Sequence, residues 1–132
     1  MNRFTSKLLL AALLIAGTAC SNDPTSSTPR QGTLRLRLTT PNADDGAMLF
    51  TVHGRAIDTA LAGNTNLRLF TRRVNDSTLV GALVGTLAGG VVVTLDIGDA
   101  SATGYTASVA EVADRNSTLR ASLDGYGLTI AP

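Results

Sequence analysis

The chain has 132 residues, with 11 basic and 10 acidic side chains and a formal net charge of +1. It contains one cysteine, no tryptophan, three phenylalanines and two tyrosines. A near-neutral charge without a clustered basic face excludes a nucleic-acid-binding protein, and a single cysteine excludes an internal disulfide. The length suits one domain, whose core is built from aliphatic side chains.

The first twenty residues have the three-part organisation of an exported leader. Arg3 and Lys7 precede an unbroken apolar run over residues 8–16, which small residues connect to Cys20. The run is shorter than the roughly 20 residues that span a bilayer. It therefore predicts a secretory signal peptide over residues 1–19. One alternative is an ordinary signal peptide, cut at an Ala-x-Ala-like site, whose product carries no lipid.

The Gly-Thr-Ala-Cys sequence over residues 17–20 resembles the lipobox of bacterial lipoproteins. The resemblance implies that Cys20 receives a diacylglycerol thioether and becomes an acylated N-terminus after cleavage. Ser21 follows it, instead of the aspartate that retains many lipoproteins at the inner membrane. An outer-membrane location is therefore favoured if the cell has an outer membrane. Without lipid, the product would be secreted or periplasmic.

Residues 20–30 contain the lipid-bearing cysteine and a polar stretch rich in Ser, Thr and Pro. The stretch has no apolar side chains to bury, so it predicts a disordered tether. Ten such residues reach about 33 Å when extended. We expect a folded domain over residues 31–132.

The domain begins with a strictly alternating segment over residues 33–39, which predicts a half-buried strand. Its leucines face inward, whereas Arg35 and Arg37 face solvent. These two arginines are candidate ligands for an anionic sugar or phosphate, and the alternative is a solvated strand face. Six further segments are predicted as strands: residues 47–53, 66–74, 78–87, 91–97, 105–113 and 126–130.

Several features between these strands predict how the chain turns. Residues 55–63 are compatible with a helical turn or a loop. Gly81 and Gly85 indicate a bulge or a close approach of another group, and Gly-Gly at residues 89–90 predicts a hairpin. About seven strands with no long amphipathic helix predict an all-β fold, a single antiparallel β-sandwich. The strand order is loosely similar to that of cohesin-like and other Ig-like bacterial surface sandwiches.

Side chains with catalytic or metal-binding chemistry are scarce. Two aspartate pairs are candidate calcium ligands, provided that their loops meet at one end of the sandwich; otherwise they are turn formers. They are Asp44 with Asp45, and Asp96 with Asp99. His53 is the only histidine, and as a general base it would need a nucleophile and an orienting carboxylate. The sequence predicts no cofactor.

These observations predict a membrane-anchored bacterial lipoprotein, held by lipid on Cys20, that presents a small non-enzymatic β-sandwich. We expect it to bind an envelope protein or glycan, or to support envelope structure, without nucleic acid or a small-molecule cofactor. The alternative is a small secreted hydrolase or enzyme-accessory domain without lipid. A cleft that gathers His53 with two aspartates would favour catalysis, whereas an exposed apolar or aromatic patch would favour binding.

Overall fold

The computed structural model of the chain describes residues 28–132. Cys20, the predicted signal peptide and most of the predicted tether lie outside the described residues. The described part is all-β, with eight strands in two four-stranded antiparallel sheets that pack together. The predicted antiparallel β-sandwich is therefore confirmed. Residues 28–132 contain no helix that is long and apolar enough to cross a membrane.

The two sheets are built from strands that alternate between them along the chain. Sheet 1 has the order β3-β6-β1-β8 and sheet 2 has the order β4-β5-β2-β7. The strands are β1 (Gly32–Thr39), β2 (Asp45–His53), β3 (Ile57–Ala62), β4 (Leu67–Asn75), β5 (Thr78–Gly85), β6 (Gly90–Ile97), β7 (Thr106–Asp114) and β8 (Gly127–Ala131).

The core lies between the sheets and follows the predicted alternation in β1 and β2. Leu36 and Leu38 of β1 are buried against Met48, Phe50 and Val52 of β2. Successive side chains of a strand point to opposite faces. The residues between these positions therefore face outward, away from the core.

The strand pairs are nested around one hairpin. β4 pairs with β5, and outside this hairpin β3 pairs with β6, β2 with β7, and β1 with β8. The other six connections between consecutive strands cross from one sheet to the other. The hairpin predicted at residues 89–90 is therefore wrong, because β5 and β6 belong to different sheets. β5 ends at Gly85, and the buried Leu87 donates its N–H to the carbonyl of Asp45, which carries the chain across the end of the sandwich.

Residues 57–62 form a strand, so the predicted helical turn or loop is wrong. β3 pairs with β6, and its register shifts between Ile57 and Thr59. The irregularity places Ile57, Ala60 and Ala62 against the core. Inward positions three residues apart look helical in the sequence, although here they result from a bulge.

Bulges also change which side chains of β6 and β7 face the core. The β1–β6 register shifts at Leu36, so that Val92 and Val93 are both buried. Val91 lies opposite the outward-facing Arg37. In β7, a shift beside Phe50 leaves Ala110 outside the pairing. Val109 and Val112 therefore both contact the core, although they are three residues apart.

The two glycines of β5 mark close approaches, as their positions predicted. A Cβ on Gly81 would lie 2.3 Å from the ring of Phe50, which occupies the space above the glycine backbone. A Cβ on Gly85 would lie 2.4 Å from the carbonyl oxygen of Asn66. The φ of Gly85 is +142°, a conformation that side chains other than glycine rarely adopt.

Candidate functional site

The two arginines predicted as binding residues lie on the outward face of sheet 1. Arg35 and Arg37 are exposed on β1. Arg35 donates a hydrogen bond of 3.2 Å to the carbonyl of Pro132. Arg37 lies opposite Val91 on one neighbouring strand and Thr129 on the other. Within residues 28–132 neither arginine forms an ion pair, and their surroundings are an exposed sheet surface.

The two aspartate pairs lie at opposite ends of the sandwich, so they do not form a shared calcium site. Asp44 and Asp45 lie at the start of β2, whereas Gly98, beside Asp99, bonds to Ala56 beyond the other end of β2. Asp96 accepts a hydrogen bond of 2.9 Å from Thr59. In the described chain, no three His, Cys, Asp or Glu side chains are placed to hold a metal ion.

Asp99 forms a local turn contact at its end of the sandwich. Its carboxylate accepts hydrogen bonds from the Oγ of Ser101 at 2.6 Å and from the backbone N–H of Ser101 at 3.0 Å. These bonds lower the pKa of Asp99 below its ordinary value. The contact is an Asx turn, which is the turn-forming role that the sequence left open for these aspartates.

Asp45 is the centre of a buried polar network at the other end. Its carboxylate has no exposed surface and accepts hydrogen bonds from Thr40 at 2.6 Å, Tyr126 at 2.9 Å, and the Nε and Nη2 of Arg120 at 2.9 and 2.8 Å. Burial raises the pKa of Asp45, but these bonds outweigh it, so the pKa lies below its ordinary value. The same contact raises the pKa of Arg120.

This network fastens the segment after β7 to the sandwich. Arg120 and Tyr126 belong to that segment, and Tyr126 also accepts a hydrogen bond of 2.7 Å from Asn42. Within residues 28–132 no buried side-chain nitrogen or oxygen lacks a partner. Because Asp45 is fully enclosed and its bonds are satisfied, the network is structural and offers no group to a substrate.

His53 lies exposed at the end of β2, and Asp44 and Asp45 lie at the opposite end of that strand. Its Nδ1 is 3.1 Å from the Oγ1 of Thr78. Its cross-strand neighbours are Thr78 and Thr106. The described residues bond no carboxylate to this ring, so they do not assemble the histidine-centred site that the hydrolase alternative requires.

The outward face of sheet 2 carries the largest exposed apolar side chains near one another. We call it the Phe70 face and define it by Leu49 of β2, Phe70 of β4, the outward residues of β5, and Leu119 beyond β7. Phe70 is 61% exposed and Leu119 is 62% exposed, while Leu49 and Val84 are each 44% exposed. Large apolar side chains at this exposure on neighbouring strands form a patch of the kind that marks interaction sites.

The register explains why this face is grooved. Ala82 lies directly between Leu49 and Phe70 on neighbouring strands. Its small side chain leaves a trough of about 380 Å³, lined also by Val80 and Arg72. A second depression of about 220 Å³ shares Leu49 and Ala82 with the first and is lined also by Leu119. The two depressions therefore lie next to each other on the face, and both have a mostly apolar lining.

The Phe70 face carries positive charge along its β4 side. Arg68 and Arg72 flank Phe70 along the outward side of β4, and neither forms a salt bridge within residues 28–132. β4 and β5 contain no carboxylate. On the far side of the face, β7 carries the carboxylate of Glu111 opposite Leu49. The β4 side of the face is therefore positively charged.

Neither Leu49 nor Phe70 was predicted from the sequence as a binding residue. Their proximity depends on β5 lying between β4 and β2, with alanine at the shared row. The available signal was an aromatic residue between two arginines on the polar side of a predicted strand. Comparisons of the chain with protein-family models, with curated proteins and with solved structures give no match, and its function is therefore inferred from the Phe70 face.

Proposed function

We propose that this protein is a membrane-anchored bacterial lipoprotein whose β-sandwich binds a partner protein through the Phe70 face. The observation that carries the proposal is the exposed apolar trough between Leu49 and Phe70. Exposed apolar patches with a polar rim are a common mark of protein interaction sites. Burial of Phe70 and its neighbours in an interface would remove this surface from water.

The chemistry of the trough favours a protein partner over a glycan. Its lining is dominated by Leu49, Phe70, Val80 and Ala82, and Arg72 is the one charged group among the lining residues. Recognition of a sugar needs several convergent hydrogen-bonding groups, and the trough offers few. Interface cores between proteins are instead rich in aromatic residues and arginine, which is the combination on this face.

The anchor in this proposal rests on the lipobox resemblance at residues 17–20. Two or more acyl chains hold a protein on a membrane stably, whereas one chain binds reversibly. The tether over residues 21–30 would let the sandwich turn the Phe70 face toward a partner in the envelope. In this arrangement Cys20 localises the protein and the Phe70 face selects what it binds.

The anchor is tested by the intact mass of the protein extracted from its own membranes, beside a Cys20→Ala variant. We expect a diacyl or triacyl adduct on an N-terminal Cys20 and its loss in the variant. An unlipidated mass together with recovery in the soluble fraction would refute the anchor.

The binding face is tested by photo-crosslinking in the cells that make the protein. A photoreactive phenylalanine derivative replaces Leu49, and the matched control replaces Arg37 on the outward face of sheet 1. We expect a discrete crosslinked protein from position 49 but not from position 37, and we expect Ala82→Arg to abolish it by filling the trough.

Two results would contradict the binding proposal. Equal crosslinking from both positions would mean that the outward surface of the sandwich is contacted non-specifically. A crosslinked product that glycosidases remove would identify a glycan as the occupant of the face. Circular dichroism of the Ala82→Arg variant checks that the sandwich remains folded.

A further inference from the structure

The four edge strands of the sandwich differ in how well their outer backbone is protected. β8 has five residues and β3 has six with a bulge. The edge of β7 is covered by the loop that follows it. The N–H of Arg120 in this loop donates to the carbonyl of Val112 on β7, and the N–H of Asp114 on β7 donates to the carbonyl of Thr118 in the loop. Short strands, bulges and covering loops are the usual means of blocking unwanted strand pairing.

β4 lacks these three protections over residues 67–72. It is nine residues long, pairs within its sheet only with β5, and keeps a regular register until a shift between Arg73 and Asn75. The Arg73 side chain donates a hydrogen bond to the carbonyl of Ile57 on β3, so this contact lies at the end of the open stretch. Seven of its nine residues are exposed. Its outer backbone N–H and C=O groups therefore form a row to which another extended chain can pair.

The side chains of β4 restrict the composition of the chain that can pair with it. Arg68, Phe70 and Arg72 project from the same side, each two residues from the next. If β4 carried only charged side chains on this side, they would protect the edge against aggregation. An exposed Phe70 between the two arginines works against that role, because it adds apolar surface at the centre of the edge.

A second copy of this chain does not fit the edge. Pairing of β4 with β4 of another copy would place Arg68 and Arg72 of each copy along one seam with no carboxylate on either strand. Like charges opposite one another destabilise a strand pair. An anionic membrane would neutralise the arginines, but it has no backbone groups to pair with the open row.

We propose that the partner binds as an extended, acidic peptide segment that adds a strand to the free edge of β4. This inference rests on the proposed function, because it specifies the partner of the same face. A strand beside β4 presents residues opposite Arg68, Phe70 and Arg72 on the outward side. The segment therefore carries two carboxylates four residues apart, with an apolar residue midway between them that packs on Phe70.

The proposal is tested with a displayed library of peptides as long as β4, nine residues. It is selected against the membrane-extracted protein, held by a tag after Pro132. We expect enrichment of the acidic–apolar–acidic pattern at alternate positions. The best synthetic peptide should bind about tenfold more weakly to an Arg68→Glu, Arg72→Glu variant. Lysine in place of its carboxylates should restore binding to that variant. The matched control, Arg35→Glu with Arg37→Glu on sheet 1, should bind the original peptide normally.

A separate measurement tests whether the peptide pairs with the backbone of β4. N-methylation of the peptide amides that face β4 should weaken binding by more than about tenfold, since several hydrogen bonds are lost together. Methylation of the intervening amides should leave binding intact. Equal sensitivity to both patterns would overturn strand addition.

Other outcomes also overturn the inference. A selection that yields no binders, or binders without acidic enrichment, excludes the acidic segment. Binding to phosphatidylglycerol vesicles that depends on Arg68 and Arg72, without peptide binding, assigns the face to a lipid surface. A concentration-dependent dimer that the charge reversal abolishes assigns it to a second copy. If crosslinking from position 49 to a protein persists in any of these cases, the proposed function stands and only the strand-addition mode fails.

Discussion

Replacement of Asp45 by alanine should destabilise the sandwich more than any other single loss of charge among the described residues. The carboxylate has no exposed surface and accepts bonds from Thr40, Arg120 and Tyr126. Its removal leaves these donors at a buried site without their acceptor. Breaking a buried ion pair by removing one partner costs about 3–5 kcal/mol, out of a total stability of about 5–15 kcal/mol for a domain.

Urea unfolding followed by circular dichroism measures this loss as a lower transition midpoint at an unchanged slope. The thermal midpoint should fall by about 10–20 °C for a domain of this size. Asp124→Ala is the matched control, because Asp124 is exposed in the same segment after β7. We expect the control to stay within about 0.5 kcal/mol of the native protein. If Asp45→Ala costs less than about 1 kcal/mol, the network does not hold the segment in the way described.

Three further predictions concern pH and packing. Because hydrogen bonds hold the pKa of Asp45 below its ordinary value of 3.8, the unfolded chain takes up this proton first. The free energy of unfolding should therefore fall as the pH drops through 3.8 and below, and Asp45→Asn should lack that part of the decline in acid titrations. Gly81→Val should cost about 1–3 kcal/mol by overpacking against the Phe50 ring, and Phe50→Leu in the same chain should recover part of it in urea unfolding. Leu36→Ala should cost about 2–5 kcal/mol, whereas Leu61→Ala on the exposed side of β3 should cost little; equal costs would contradict the assigned core.

Strand positions could be predicted from the sequence wherever the alternation was regular. β1 and β2 carry uninterrupted alternation, and their inward residues Leu36, Phe50 and Val52 are all buried. Prediction failed where a bulge shifts the phase, since the two-residue period is then broken without any local signal. Ile57 and Ala60 are the clearest case, because the bulge between them imitates helical spacing.

Which strands pair with each other was harder to predict from the sequence than where the strands lie. Gly-Gly at residues 89–90 has the composition of a hairpin turn, yet it lies on a crossover between the sheets. What decides between the two is whether Leu87 is buried at the end of the sandwich, which is a long-range property. The Phe70 face was missed for the same reason, since Leu49 and Phe70 become neighbours only through β5.

The buried network around Asp45 could not be predicted from the sequence for a different reason. Asp45 was considered as a metal ligand because carboxylates in loops coordinate calcium. Its actual partner, Arg120, is 75 residues away, and the arginine supplies the positive charge that a cation would have supplied. Sequence spacing carries no information about a pair of this kind.

The nesting of the strands has a kinetic consequence. Only β4 and β5 are joined by a short turn, and β1 finds its partner β8 at the far end of the domain. Chains dominated by such non-local pairing fold slowly, on a scale of about milliseconds to seconds. Sheet 1 cannot be completed until residues 127–131 have been synthesised, so the growing chain has no finished core to fold around. Because β8 completes sheet 1, we expect the sandwich to fold as one unit after all eight strands have been made, and not strand by strand during synthesis.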